Sequence, residues 1–575
     1  MLGRSSRSAA STAILFAGPD GSAKVFANLD VPNSLAKAVS VSTSLEYRDL
    51  SQGNLASIWR SLACQGDSPH SYWLTRFIVL RLLGLVYFVA FLSLAQQILP
   101  LIGSRGLLPV NLFLRQAEKF FGSRPGAFLQ FPSIFWMNSS DFFLVVMSWV
   151  GAVLSAALLL GFANGILLIA LWVLYLSFVH IGQDWYSYGW EIQLLETGFL
   201  AVFLCPLLDG RPFPKRPPPA PVIWLFRWLI FRVMLGAGLI KLRGDSCWRD
   251  LTCLYYHYET QPIPNPLSSL LHFMPQWFHK LGALWNHVNE LIAPWFMLGP
   301  RRLRHIAGFL LVSFQVILIL SGNLSFLNWV TIIPALACFD DSWFLHILPK
   351  GLTERAVQAS ALAKVSRAQR VVIPGLVLLV AVLSVFPIAN LVSSRQAMNT
   401  SFDPLHLVNT YGAFGSVGQE RNEIIFEGSD DAVITPESQW KAYEFKCKPG
   451  DPFRRPCVIS PYHYRLDWQI WFAAMSGPDQ YPWTLHFVWK LLHNDSGVLS
   501  LLANNPFPSS PPRHIRAELY RYQFATWGGG SHAWWTRTRL GPWLPTLSVR
   551  DPAFLRFLAA YGWVERTSEK DDRSD

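Results

Sequence analysis

GAGLIKLRGDSCWRDLTCLYYHYETQPIPNP, residues 236–266, decides the fold. In it an apolar helix gives way without a spacer to charged, aromatic and cysteine-bearing chain. Apolar runs lie on both sides, so the stretch reads as a loop between membrane-spanning helices. Arg243, Asp245, Cys247, Arg249, Asp250, Cys253, His257 and Glu259 crowd it more densely than a connector requires.

The composition agrees. Of 575 residues, 51% are hydrophobic and only 15% charged, where a soluble chain carries about a quarter charged residues. The formal net charge of +11 comes without a basic block or an RNA-binding signature, so it points to membrane topology and to no nucleic-acid partner. Runs of about 17–25 apolar residues start near residues 76, 142, 163, 189, 222, 282, 305, 323 and 371, about nine spans within 72–393. Residues 1–71, rich in Ser and Ala, read as a disordered cytosolic tail. The first span then acts as the insertion signal.

Three signals bear on this topology. With a cytosolic N-terminus, nine spans put Arg211, Lys215, Arg216, Arg301, Arg302, Arg304, Lys350, Arg355, Lys364, Arg367 and Arg370 on the cytosolic side, as basic loops prefer. The N-x-S/T sequons at Asn138, Asn399 and Asn494 fall on the opposite side as glycosylation candidates, with a less accessible one at Asn323. Cys247, Cys253, Cys447 and Cys457 lie with the sequons, where thiols oxidise, and the remaining three of the seven cysteines stay reduced.

Charged residues inside spans are costly and face partners or cavities. Glu196 lies about 12 Å and Arg232 about 15 Å into their spans at 1.5 Å per residue, so they are expected to form an intramembrane ion pair that fixes helix register, in preference to a substrate or proton site. In the lumenal loop, residues 243–281, Cys247 and Cys253 are spaced for a small disulfide loop and not for zinc. His257-Tyr258-Glu259 resembles the start of a zinc-deaminase signature, but no P-C-x-x-C follows. Leu267–Trp285 is expected to lie along the lumenal membrane face.

Past the last span, residues 394–575 read as a lumenal α+β domain with an antiparallel sheet. Alternation over Tyr443–Cys447 and Tyr520–Phe524 marks strands, with another at Glu423–Glu427. Asp467–Met475, Trp483–Leu492 and Pro552–Tyr561 read as helices, and Gly528–Gly530 as a turn. CKPGDPFRRPC, residues 447–457, suggests a rigid loop stapled by its two cysteines. Arg465 and Asp467 are expected to pair beneath it. No nucleophile elbow, Walker A or G-x-G-x-x-G occurs, so no catalytic, cofactor or metal residue is assigned.

SYWLTRFIVLR, LIGSRGLLP, WYSYGWEIQLLETGFLAVFLCPL, HYETQPIPNP, SGNLSFLNW, LVNTYGAFGSV, YEFKCKPGDPFRRPC and ISPYHYRLDWQIWFAA follow one another over Tyr72–Trp563. Together they resemble the lipase maturation factor family, its first vertebrate type in particular. The resemblance implies an endoplasmic reticulum membrane glycoprotein needed for secreted dimeric lipases, of the lipoprotein lipase kind, to fold into active enzyme. Partners would be those lipases, other chaperones of that compartment and its membrane lipids, and the protein itself would not be an enzyme. Client-facing candidates are His257, Glu259, Arg465 and Trp468. Two rival readings are a membrane-embedded enzyme distantly similar to vitamin K-dependent carboxylase and a lipid or small-molecule transporter.

Overall fold

The computed structural model describes residues 71–526 and 532–565, together with a short ladder pairing Phe16–Ala17 with Ala23–Lys24. The expectation of disorder for the rest of the N-terminal segment and the Gly528–Gly530 turn lie outside the described residues.

The membrane part runs through α1 (Trp73–Ile102), the amphipathic α2 (Val110–Phe120), α3 (Asp141–Leu160), α4 (Gly165–Ile181), α5 (Gly189–Val202) and α6 (Ala220–Arg243). Two short helices, α7 (Leu254–Thr260) and α8 (Pro266–His272), precede α9 (Gln276–His287). Then come α10 (Arg301–Ser321), α11 (Leu327–Ala335) and α12 (Arg367–Leu383), the last continuing helically to Val392. Five of these, α1, α3, α6, α10 and α12 with its extension, are long and apolar enough to cross a membrane. The other apolar runs also fold as helices but stop short. The 14 residues of α5 rise about 21 Å, against a hydrocarbon core of about 30 Å.

The long helices pack closely because glycines remove the side chain at the crossing. A Cβ on Gly84 of α1 would lie 2.6 Å from the Leu159 backbone nitrogen, and one on Gly151 of α3 would lie 2.3 Å from the Phe91 ring. Small residues at such contacts let backbones approach where no hydrophobic force drives helices together.

Contacts distant in sequence sort the helix ends into two sets. At one, Asp341 caps α1, accepting from Trp73 N and Leu74 N at 2.8 Å each, an anion where the helix dipole is positive. There too Arg76 donates to the Arg216 carbonyl (2.9 Å), Arg227 to that of Ala337 (2.7 Å), and Arg301 and Arg304 to Asp340. At the other, Gln97 donates to His463 O (2.7 Å) and Asn323 to Cys457 O (2.9 Å). The C-terminal domain sits on this second end.

That domain is built on a four-stranded antiparallel sheet, order β2-β1-β3-β4, of β1 (Arg421–Ser429), β2 (Lys441–Ala442), β3 (His514–Phe524) and β4 (Trp535–Ser548). The register runs from Arg421 opposite Tyr522 to Ser429 opposite His514. Helices α13 (Arg465–Ala473), α14 (Trp483–Leu492) and α15 (Pro552–Ala560) complete it. Two readings need correction. The strand expected over Tyr443–Cys447 is confined to Lys441–Ala442, beyond which Phe445 makes only an isolated bridge to Leu502. And β4 was missed because Gly541, Pro542 and Pro545 interrupt its alternation, which an edge strand tolerates since one side of it needs no ladder hydrogen bonds.

Candidate functional site

The residues singled out above converge where the C-terminal domain meets the helix ends. The Glu196–Arg232 pair is 1% and 2% exposed. Arg232 bonds one carboxylate oxygen of Glu196 and donates to the Asn409 carbonyl at 2.6 Å. The other Glu196 oxygen accepts from the Asn409 backbone (3.0 Å), the Asn409 amide (3.1 Å) and the Tyr411 hydroxyl (2.8 Å). The pair thus joins α5 and α6 to the segment leaving the last membrane helix. Buried charges persist only when paired and hydrogen-bonded in this way.

A second buried pair crosses the seam itself. Arg465, at the start of α13, places Nη1 2.8 Å from Glu191 Oε1 and 2.5 Å from the Trp185 carbonyl, with its guanidinium 3.5 Å over the Tyr186 ring. Tyr175 donates to the other Glu191 oxygen. This corrects the expected Arg465–Asp467 pair. Residues two apart on a helix face different ways, and Asp467 instead accepts from Cys447 N (2.6 Å) and Lys448 N (2.8 Å), holding the stapled loop. His463 is enclosed by the rings of Tyr188, Trp190 and Trp468. Burial, with Arg465 adding to it, holds its imidazole well below the usual range.

The loop of residues 236–266 is equally committed to internal contacts. Cys247 and Cys253 are disulfide-bonded with Cα atoms 4.8 Å apart, and Cys447 and Cys457 with theirs 5.6 Å apart. Asp245 caps the first turn at Cys247 N (3.1 Å), and Trp248 donates to Phe414 O (2.8 Å). Lys241 pairs with Glu290 and lies 5.0 Å from the Trp248 ring. His257 packs edge-on to Phe414, and burial, then the nearby Lys241 charge, pushes its pKa down to about 4. Glu259 accepts from Phe524 N at 2.6 Å, and burial raises its pKa. Arg421 of β1 donates to the carbonyls of Glu259 (2.8 Å), Gln261 (2.5 Å) and Pro262 (2.9 Å).

None of the four residues expected to face a client does so. His257 and Glu259 are each 7% exposed, Trp468 3% and Arg465 0%. Each fills or ties the seam. The surface on this side is apolar elsewhere. Leu267, Leu270, Phe273, Trp277, Leu281 and Leu284 are exposed along α8 and α9 at three- and four-residue spacing, the one-sided pattern of a helix lying on an apolar medium. Phe453, Val458 and Met475 project from the C-terminal domain.

The sequons differ in environment. Asn138 is exposed. Asn399 is half-buried, with its side-chain oxygen accepting from Gly412 N, and the Asn494 amide donates to Phe507 O at 2.7 Å. Asn323 is buried, its oxygen accepting from Ile459 N and Ser460 N. Among the described residues no group of three His, Cys, Asp or Glu side chains is placed to hold a metal ion. Sequence reasoning missed Glu191, Asn409, Tyr411 and Arg421. The available signal was valence, since Glu196 has two carboxylate oxygens and one arginine nitrogen satisfies only one of them.

The same architecture is matched across both halves of the chain. Residues 74–346 match the lipase maturation factor transmembrane domain, and residues 407–545 match the lipase maturation factor C-terminal domain. Lipase maturation factor 1 of Mus musculus is 51% identical over 517 residues, covering 84% of this chain and 90% of the relative. Lipase maturation factor 1 of Homo sapiens is 49% identical over 506 residues, covering 84% and 89%. Lipase maturation factor 2 of Gallus gallus is 30% identical over 599 residues, covering 84% and 83%. No solved structure matches.

Proposed function

The chain belongs to the lipase maturation factor family, and from that premise we propose that it brings secreted lipases, of the dimeric lipoprotein lipase kind, to their active form. The observation that carries this is identity of about half to lipase maturation factor 1 over most of the chain, through both the membrane part and the C-terminal domain. It acts from the endoplasmic reticulum membrane, with its N-terminus in the cytosol and the C-terminal domain in the lumen. The orientation is supported by the gathering of Arg76, Arg216, Arg227, Arg301 and Arg304 at one end of the helices, the charge bias of a cytosolic face.

The protein works by binding its client and not by catalysis. The charges at the centre of the seam, Glu196 with Arg232 and Glu191 with Arg465, are paired within the protein, whereas the lumenal surface carries exposed apolar side chains, the kind of surface that meets partly folded chains. Lipid molecules and other chaperones of the compartment are its neighbours there.

The test is secreted lipase activity per unit of lipase protein in cells lacking the endogenous factor. The full chain restores it, and a chain ending after Phe426, checked for membrane insertion, does not. Single changes at His257, Glu259 or His463 leave most of the support intact in protein of normal abundance. Rescue by the truncated chain would contradict the role of the C-terminal domain. Complete loss from His257→Gln or Glu259→Gln in stable protein would favour the enzyme reading.

A further inference from the structure

Between the end of α4, the amphipathic α2 and the segment at residues 399–406 lies a cavity of about 680 Å³, within the roughly 300–1,000 Å³ of small-molecule sites. Its wall is mostly apolar and aromatic, drawn from both parts of the chain: Phe113 and Phe120 of α2, Val179 of α4, Trp483 of α14, and Trp563 beyond α15. Phe120 is 39% exposed at its edge. Polar groups in this wall lack a use in the fold. The His406 Nδ1 is buried without a hydrogen-bond partner, and the half-buried Asp184 carboxyl has no hydrogen-bond or ion-pair partner among the described residues. Burial raises the Asp184 pKa to about 6 and lowers that of His406 to about 3. A buried polar atom without a partner is destabilising, so the His406 Nδ1, on one wall with the open Asp184 carboxyl, leaves room for a ligand that bonds both.

The lining selects the ligand. No lysine or arginine contributes to it, so a phosphate or carboxylate head would sit near Asp184 without a counter-charge. A neutral imidazole has one donor and one acceptor nitrogen; a hydroxyl complements either at Nδ1, an ammonium only the acceptor. We propose that this cavity binds a single-chain membrane lipid with a neutral, hydroxyl-bearing head, of the monoacylglycerol class. The acyl chain lies against the aromatic wall, and the hydroxyls bond Asp184 and His406.

The probe is a monoacylglycerol carrying a diazirine in its acyl chain, photolysed with the full chain in nanodiscs and mapped by peptide mass. The expected result is saturable labelling within residues 110–120 or 400–406, competed by unlabelled monooleoylglycerol and not by oleic acid or oleylamine. Val179→Trp, which fills the cavity, reduces labelling at least tenfold while protease resistance stays native. Asp184→Asn keeps monoacylglycerol binding within about threefold and lets oleic acid compete. Labelling that does not saturate, or that spreads evenly over the membrane helices, would overturn the site. Competition by oleic acid or oleylamine equal to that by monooleoylglycerol on the native chain would overturn the head-group assignment.

Discussion

Arg465→Met puts the seam to its sharpest test. The substitution preserves much of the side chain's volume but removes the cation bonded to Glu191, which is itself 0% exposed. It also strips a donor from the Trp185 carbonyl. Removing one partner of a buried ion pair costs about 3–5 kcal/mol, and about 1.4 kcal/mol corresponds to a tenfold change in an equilibrium. The undocked population should therefore rise on the order of a hundredfold or more. Arg421 reports it, because its guanidinium, bonded to Glu423 within its own strand, also donates to three carbonyls of residues 259–262 and is 1% exposed while the domain is docked. Limited trypsinolysis of the solubilised chain, following the cut after Arg421, reads that population when opening is fast relative to cleavage. Adding Glu191→Gln removes the stranded charge and should recover more than half of the lost protection. A native cutting rate for Arg465→Met, or no recovery in the double variant, would refute the reasoning.

Four further outcomes are expected. In Gly236→Ala the new Cβ would meet the Tyr411 carbonyl at 2.4 Å, while Gly375 has nothing within 4 Å; the first should cost about 1–3 kcal/mol in thermal unfolding and Gly375→Ala should cost far less. His257 is held near a pKa of about 4, so between its normal value and that one the unfolded chain binds the extra proton and stability falls on acidification. From pH 7 to 5 this amounts to about 2 kcal/mol, and His257→Gln should flatten the pH dependence of trypsin resistance by that amount; the raised pKa of Glu259 acts in the opposite sense and is unaffected. Asn138→Gln should abolish a glycosidase-sensitive mobility shift, whereas Asn323→Gln should not, because that amide is buried and bonded to Cys457 O. Cys447→Ser should lower stability by about 2–3 kcal/mol through the loop it no longer closes, seen as an earlier cut after Arg421.

The helix positions could be read from the chain because they depend on local pattern. Apolar runs marked the helix positions, and the switch to period-two alternation marked β3. The depth of Glu196 and Arg232 followed from helical rise alone, and the structure sets them side by side. What pattern does not carry is pairing across long separations. Arg465 finds Glu191 274 residues away, and Glu196 finds the Asn409 backbone 213 residues away, so sequence proximity suggested Asp467 instead. Burial misled as well. His257 and Glu259 looked like surface chemistry because polar residues in a loop between membrane helices are usually wet, and it took a second domain packed on that loop to enclose them. The cavity between the two parts had no sequence signature, since its wall is gathered from many separate segments.

In the function proposed above, the end of the helices that carries the C-terminal domain, and not the opposite end, meets the lipase. A photoreactive phenylalanine analogue placed at Phe453, 65% exposed in the stapled loop, and another at Leu208, 74% exposed near the basic helix ends, separate the two directly when photolysed during lipase synthesis. Adducts with newly made lipase are expected from position 453 and none from position 208. Adducts from position 208 with none from 453 would contradict that expectation.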